Sequence, residues 1–570
     1  MFNQSAPSWQ SAPNPVPLGM NTDHYPHWPA GLPYTLSPPK TSVYTNLAIS
    51  ALRYPDKTAL EFYGRTLSYR QLQSEVDALA GYLQRVCGIQ RGDRVLLQMQ
   101  NCPQFVIAFY AVLRADAVIV PVNPMLLRDE LQHGVVDSGA TLALCSHELL
   151  PELTPLLTAS PLKRLIVACY ADYLGASTDG VPRWLLAQTT LQADARIIPW
   201  ADALGAQLTP SPHTAGPDDL ACLLYTSGTT GRPKACMHPH RSLMFNAVTG
   251  ALWAGGAAAD HVILLSLPLF HVTGMQISMN ASIYAGATLI MMARWDRDQA
   301  GRLITQHKVS SWTCIPTMMI DFLSNPHLPD YDIRSLRRVS GGGAAMPAAI
   351  AQKLLDMTGL RYMEGYGLTE TIATSHSNPL QRLKQQCLGI PIFNVDSRVI
   401  DPEHLNELPP NEVGEIIIHG PQVFTGYWGD EQKTREAFVE IEGKSFFRTG
   451  DLGYRDGEGF FFFTDRLKRM INASGFKVWP AEVEAMMYRH PEIQECCIIA
   501  ARDAYRGETV KAVVVKRPGS TLTSEALIAW SREQMAAYKV PRIVSFIDAL
   551  PKSATGKVQW RQLQDAELSQ

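Results

Sequence analysis

The chain has 570 residues, 46% of them hydrophobic and 18% charged, and its 50 Lys plus Arg against 53 Asp plus Glu leave a net charge of −3. This length exceeds one hydrophobic core and predicts about two to four domains. The even charge balance speaks against a nucleic-acid partner. Ten scattered cysteines with no C-x-x-C or H-E-x-x-H spacing speak against a disulfide framework or a zinc site, so a reducing cytoplasm is expected.

In chain order, Met1-Phe2-Asn3-Gln4-Ser5 lacks the basic and apolar regions of a secretory signal. Residues 1–40, rich in Pro, Ser and Asn, read as an extended arm. From Thr41 the pattern turns globular. Ala59 to Tyr69 predicts a hairpin turning at Gly64, and Leu72, Val76, Leu79 and Leu83 predict a helix from about Tyr69. Val95-Leu96-Leu97 and Ala117 to Val122 read as buried strands with a helix between them, the alternation of a layered α/β body with parallel sheet. Ile277 to Ala293 is weakly polar but carries Ser278, Asn280, Ser282, Gly286 and Thr288, and so reads as core helix and strand rather than a membrane span. No transmembrane segment is predicted, which leaves peripheral membrane contact open.

The densest stretch follows the strand candidate Leu220 to Leu224. In Tyr225-Thr226-Ser227-Gly228-Thr229-Thr230-Gly231-Arg232-Pro233-Lys234, four hydroxyls, two glycines and a lysine close the sequence. Glycine lets backbone N–H groups approach an anion, hydroxyls add donors and Lys234 adds a point charge, which together suit a phosphate. The spacing differs from the G-x-x-x-x-G-K-[ST] of P-loop nucleotidases. Further along, Glu364-Gly365-Tyr366-Gly367-Leu368-Thr369-Glu370 offers an aromatic face, a hydroxyl and a carboxylate suited to a base, a phosphate and Mg²⁺. In Phe447-Arg448-Thr449-Gly450-Asp451, the carboxylate of Asp451 can accept both hydroxyls of a ribose. Composition alone makes His271 in Leu267-Pro268-Leu269-Phe270-His271-Val272-Thr273-Gly274 a packed loop histidine, leaves Ser340-Gly341-Gly342-Gly343-Ala344-Ala345-Met346-Pro347 a flexible turn, and makes Lys557 a solvated loop lysine.

These motifs, in this order, resemble those of the adenylate-forming superfamily, which includes acyl-CoA synthetases, 4-coumarate–CoA ligases, luciferases and the adenylation domains of peptide synthetases. The likeness covers about residues 40–565 and is nearest to medium- and long-chain fatty acyl-CoA synthetases. It implies a mixed α/β (α+β) fold: a large layered domain with mixed sheets over 41–467, and a small α+β lid domain over 468–570 beyond a hinge. Activity implied is ATP-dependent formation of an acyl-CoA through an acyl-adenylate, with Mg²⁺ and with CoA as co-substrate. The resemblance places Thr226, Ser227, Gly228, Thr229, Thr230 and Lys234 on the phosphates, Gly343 and Ala344 beneath the base, Tyr366 on the adenine, Thr369 on the α-phosphate, Glu370 on the metal and Asp451 on the ribose. Arg466 would reach the ribose or phosphates, Lys468 would be the pivot, and Gly475, Phe476 and Lys477 would line the CoA channel. His271 would border the acyl pocket and pantetheine passage, and Lys557 would be the catalytic lysine.

The sequence departs from the family at Gln386-Cys387-Leu388-Gly389-Ile390-Pro391-Ile392-Phe393-Asn394, where only Gly389 and Pro391 survive of the usual Gly-Ser-x-Gly-x-Pro-x-Pro-Gly. Met275, Ile315, Met318, Ile390 and Ile392 are apolar candidates for the acyl pocket, with no charge suited to an amino acid or a diacid. Gly426-Tyr427-Trp428 reads as a packing element. Three alternatives stay open: an aryl or branched acid, a carrier-protein thiol or oxygen as acceptor, and a non-catalytic binding protein on the same fold, against which stand Lys557, Glu370 and Asp451. A homodimer would also be compatible.

Overall fold

The computed structural model describes residues 20–177, 179–187, 191, 194–226, 233–473, 476–503, 507–552 and 558–569. Among them the strands form four sheets. The first runs in the order Ile197–Pro199, Arg164–Ala168, Leu142–Ser146, Arg94–Gln98, Val118–Pro121, Leu220–Thr226, Lys234–Pro239. It is parallel until the last pair, which is an antiparallel hairpin. Leu142–Ser146 and Val118–Pro121 are buried at every position, as strands covered on both faces must be.

A second sheet of nine strands has Thr288–Met291, Val262–Leu265, Ser311–Thr313, Arg338–Gly342 and Tyr362–Leu368 as its parallel centre. Antiparallel pairs close its edges: Thr58–Phe62 with Arg65–Ser68 on one side, and Ala373–Ser377 with Ile390–Pro391 on the other. The predicted hairpin at Gly64 is present, with Tyr63 at φ 44° and Gly64 at φ 90°. Helix Tyr69–Arg85 then starts on a capping box, in which the Ser68 hydroxyl accepts from the Gln71 N–H and the Gln71 side chain accepts from the Ser68 N–H. The helix Pro103–Arg114 is buried on all sides except near its C-terminus, because it forms part of the core shared by the first two sheets. The stretch from Ile277 is core helix followed by the strand Thr288–Met291, as its polar residues indicate, and it includes a π-helical turn over Gly274–Asn280.

The third sheet is antiparallel and contains Asp396–Ile400, Gly414–His419, Lys444–Arg455, Phe438–Ile441 and Phe461–Arg466. The fourth is built from Ile471–Ala473, Phe476–Val478, Ile493–Asp503, Gly507–Lys516 and Ile543–Phe546. Its two long strands, Ile493–Asp503 and Gly507–Lys516, pair along their whole length. Sheet membership therefore changes within the turn Leu467–Arg469.

Residues 20–40 lie on the third sheet's side of the body. Trp28 inserts edge-on between Trp253 and Phe393, at ring distances of 5.0 and 5.5 Å. Tyr25 stacks on Tyr34 at 4.2 Å, the Leu36 N–H donates to Asn394 Oδ1 at 2.6 Å, and Asp23 pairs with Arg455 at 2.5 Å. At φ +79°, Gly459 passes so close beneath His24 that a Cβ there would lie 2.6 Å from the His24 nitrogen. Close approach as well as backbone conformation requires glycine at this position.

Candidate active site

The hairpin Leu220–Thr226 and Lys234–Pro239 carries the glycine-rich loop, and Thr226 pairs with Lys234 at its base. Ser227, Gly228, Thr229 and Thr230 lie outside the described residues, as do Gly475 and Lys557; for Phe476 and Lys477 only the backbone is described. The Lys234 ammonium stands 4.6 Å from the centre of the Tyr427 ring, a cation–π contact at the mouth of the loop. Tyr427 in turn donates its hydroxyl to Glu370 Oε1 at 3.0 Å. A packing role for Gly426-Tyr427-Trp428 is therefore too narrow, since Tyr427 touches two candidate ligand-binding groups. Its 57-residue separation from Glu370 hides that contact in the sequence.

Strand Tyr362–Leu368 delivers Tyr366 and passes into a short 3₁₀ turn over Thr369–Thr371. His238 Nε2 donates to the Thr369 carbonyl at 2.8 Å, and the Glu370 carbonyl accepts from the Phe424 N–H at 2.8 Å, so the backbone of this turn is fixed on two sides. Glycine at 367 is required by packing: a Cβ would lie 1.4 Å from the Ala373 carbonyl oxygen. The same holds in the glycine cluster before it. A Cβ on Gly341 would meet the Cys314 carbonyl at 1.8 Å and the Tyr362 hydroxyl at 2.1 Å, and one on Gly342 would meet the Gly365 carbonyl at 2.4 Å. A flexible turn is thus the wrong account of Gly341 and Gly342. They are the end of a strand, and exposure begins beyond them, at Gly343, with φ +84°, Ala344 and Ala345.

Asp451 is fully buried on the long strand Lys444–Arg455. It accepts the Tyr366 hydroxyl on Oδ2 at 2.6 Å and pairs through Oδ1 with Arg466 Nε at 2.7 Å. Its negative charge holds the Arg466 guanidinium more firmly protonated than usual. Burial, and after it the Asp451 charge, pushes the Tyr366 phenol well above its ordinary value, so that Tyr366 is a neutral donor. Glu370 belongs to the same electrostatic group: burial raises its carboxyl, and the Tyr427 hydrogen bond and the Arg466 charge oppose the rise. Burial lowers the Lys468 ammonium, and the like charges of Lys234 and Arg561 lower it further.

Among the described residues no group of three or more His, Cys, Asp or Glu side chains is placed to hold a metal ion. A single half-buried carboxylate still suits Mg²⁺, because Mg²⁺ is commonly held by one or two carboxylates together with the phosphates of its nucleotide. Glu370 fits that arrangement.

His271 lies in a loop secured by Asn101, a residue with no sequence signal of its own. The Asn101 Nδ2 donates to the Leu267 carbonyl at 3.0 Å and its Oδ1 accepts from the Leu269 N–H at 2.8 Å, clamping both sides of Pro268. Four of the five apolar pocket candidates divide among three cores. Met275 is fully buried in the core between the first two sheets, Met318 borders the core of the second, and Ile390 and Ile392 pack with Trp28, Trp253 and Phe393.

One further carboxyl was not singled out by role. Glu364 is buried, and burial pushes it up to about 7 despite hydrogen bonds from the Gln386 and Met346 N–H groups. Raising a folded-state carboxyl favours the protonated fold, so its stabilising effect is complete below the ordinary range and is lost as pH rises through about 7. Between pH 5 and pH 8, Glu364→Gln is expected to lose less stability than the wild type, by roughly 2–3 kcal/mol. Denaturation midpoints at the two pH values check this, and an equal pH response in both proteins would refute it.

Residues 47–428 match the family described as AMP-binding enzyme, and residues 482–557 match the AMP-binding enzyme C-terminal domain. The chain belongs to the AMP-binding enzyme family. This AMP-binding enzyme is 35% identical over 554 residues to a long-chain-fatty-acid–CoA ligase of Bacillus subtilis, an alignment covering 95% of the chain and 97% of the relative. It is 33% identical over 508 residues to a feruloyl-CoA synthase of an Amycolatopsis species, covering 88% and 94%. Among solved structures it resembles ATP-bound MatB from Rhodopseudomonas palustris, with a TM-score of 0.82 and 28% identity over 93% of this chain and 99% of that one. The two family matches leave residues 429–481 between them, and this interval holds Asp451, Arg466 and Lys468.

Proposed function

We propose that this AMP-binding enzyme is an ATP-dependent acid–thiol ligase that joins a medium- or long-chain fatty acid to CoA through an acyl-adenylate. The observation that carries the reading is the convergence of Tyr366, Asp451 and Arg466 with Glu370 and Lys234 at the mouth of one hydroxyl-rich loop. Near-full-length similarity to a long-chain-fatty-acid–CoA ligase supports the choice of substrate.

A carboxylate is a poor electrophile, since its charge repels nucleophiles and an oxide is a bad leaving group. Attack of the acid on the α-phosphate of ATP removes both obstacles and releases pyrophosphate. The CoA thiol then attacks the mixed anhydride, giving the thioester and AMP. In the first step the protein aligns two anions and stabilises charge developing on oxygen. Tyr366 would face the adenine, Asp451 would take the ribose, Thr369 and Arg466 would meet the phosphates, and residues 226–234 would hold the departing pyrophosphate. Lys557 would bridge the carboxylate and the α-phosphate. Glu370 would hold Mg²⁺ together with the nucleotide, and the ion would supply charge neutralisation at the phosphates. Because Lys557 and the segment 475–477 serve different half-reactions, we treat 468–570 as a unit that turns about Lys468 between them.

No helix of the described residues is long and apolar enough to cross a membrane, and all ten cysteines are free thiols. Both facts are compatible with a cytoplasmic location, which forms part of this proposal. Similarity to a feruloyl-CoA synthase favours a second reading, an aryl acid in the same pocket. The test is release of pyrophosphate and AMP from Mg·ATP over acids from acetate to oleate plus cinnamate and phenylacetate, with and without CoA. Thioester formation strongest with the longer aliphatic acids is expected. Preference for cinnamate would move the assignment to an aryl ligase, and pyrophosphate release with no CoA-dependent thioester would overturn CoA as acceptor.

A further inference from the structure

The two ends of the glycine-rich loop are held by one helix that no motif marks. Helix Arg128–Ser138 buries Leu131 and Val135 in the core of the first sheet, and its edge carries His133 and Asp137, four residues apart and therefore neighbours on the helix surface. Before the loop, Tyr225 donates its hydroxyl to Asp137 Oδ2 at 2.7 Å and lies 3.3 Å from the Gly134 carbonyl. After the loop, His133 Nε2 lies 3.2 Å from the Pro233 carbonyl oxygen. A carbonyl can only accept, so Nε2 carries the proton in this contact. The helix itself is anchored. Trp428 Nε1 donates to the Asp137 carbonyl at 3.1 Å, while the Trp428 N–H donates to the Ala235 carbonyl at 2.8 Å. Arg94, on the central strand Arg94–Gln98, donates from Nε to the Ser138 carbonyl at 2.8 Å and lies 5.6 Å from the Trp428 ring centre.

We propose that His133 and Asp137 are positioning residues that hold the two shoulders of the phosphate loop at the spacing ATP requires. The inference rests on the functional reading above, in which residues 226–234 hold the phosphates that leave while Tyr366 and Asp451 hold the part that remains as AMP. Fixing Tyr225 and Pro233 from one helix sets the separation of these two residues before the nucleotide arrives, so binding ATP has less ordering to perform. AMP lacks the two outer phosphates and gains nothing from that spacing. The geometry therefore ties His133 and Asp137 to discrimination between ATP and AMP, not to nucleotide binding in general.

The experiment is calorimetric titration of the full-length protein with Mg·ATP and, separately, with AMP, using His133→Ala, Asp137→Ala, Asp137→Asn, Tyr225→Phe and the double variant Tyr225→Phe/Asp137→Ala. ATP affinity is expected to fall about tenfold in each single variant that deletes a hydrogen-bonding group, with AMP affinity unchanged. Asp137→Asn keeps an acceptor for Tyr225 and should bind ATP like the wild type. The double variant should be no weaker than Asp137→Ala, because the two side chains share one interaction. Unchanged ATP affinity in His133→Ala and Asp137→Ala would overturn the proposal, as would a parallel loss of AMP affinity, which marks general disruption. These titrations need no acid and no CoA, so failure of the ligase reading would show in the thioester assay and not here.

Discussion

Replacing Lys557 by alanine should slow acyl-adenylate formation by about a hundredfold to a thousandfold, the usual cost of removing one preorganised electrostatic group from a transition state. Thioester formation from supplied acyl-adenylate should stay near the wild-type rate, because the bridge between carboxylate and α-phosphate is no longer needed once the anhydride exists. Single-turnover measurement of each half-reaction separates the two. Equal loss in both steps would show that Lys557 serves the fold or both reactions, and would remove the main reason for assigning the last hundred residues two working orientations.

The second large effect is expected at Asp451. Its carboxylate is fully buried between the Tyr366 hydroxyl and the Arg466 guanidinium. Asp451→Ala strands both partners, and breaking a buried pair from one side typically costs about 3–5 kcal/mol. Part of that loss should appear as a lower melting temperature and part as weaker binding of ATP and AMP alike, since the group assigned to the ribose is common to both. Asp451→Asn preserves an acceptor for Tyr366 and should recover much of the stability but little of the affinity, because a neutral amide no longer holds Arg466 in place. Calorimetry with both nucleotides, beside a thermal melt, distinguishes these contributions. Unaltered nucleotide affinity in Asp451→Ala would refute the ribose assignment.

Residue types within one short window were legible in the sequence, and contacts between distant windows were not. The hairpin at Gly64, the capped helix at Tyr69 and the strands at Val95 and Val118 follow from periodicity, turn chemistry and capping, all local properties. Tyr366, Asp451 and Arg466 could be named because each sits in a compact motif, and the structure joins them through hydrogen bonds and an ion pair. Tyr427 and Asn101 escaped because their value lies in partners far along the chain: Glu370 is 57 residues from Tyr427, and Leu267 is 166 residues from Asn101. The glycines were misread for the same reason. Gly341 is excluded from carrying a Cβ by the carbonyl of Cys314, which follows the neighbouring strand Ser311–Thr313 and leaves no mark on the sequence around the glycine. For the pocket candidates, apolar residue type alone does not tell Met275 in the central core from Ile390 beside the arm.

The arm has a consequence for how the chain is made. Asp23 finds Arg455 across 432 residues, and Leu36 finds Asn394 across 358. A ribosome adding about 5–20 residues per second needs roughly 20–90 seconds to deliver those partners after the arm has emerged. During that interval Trp28, Tyr25 and Tyr34 have no pocket to enter, although the hairpin and the first helices beside them can already form. The arm, made well before its partners, is thus among the last parts of the chain to reach its place, and its docking records that those partners have arrived.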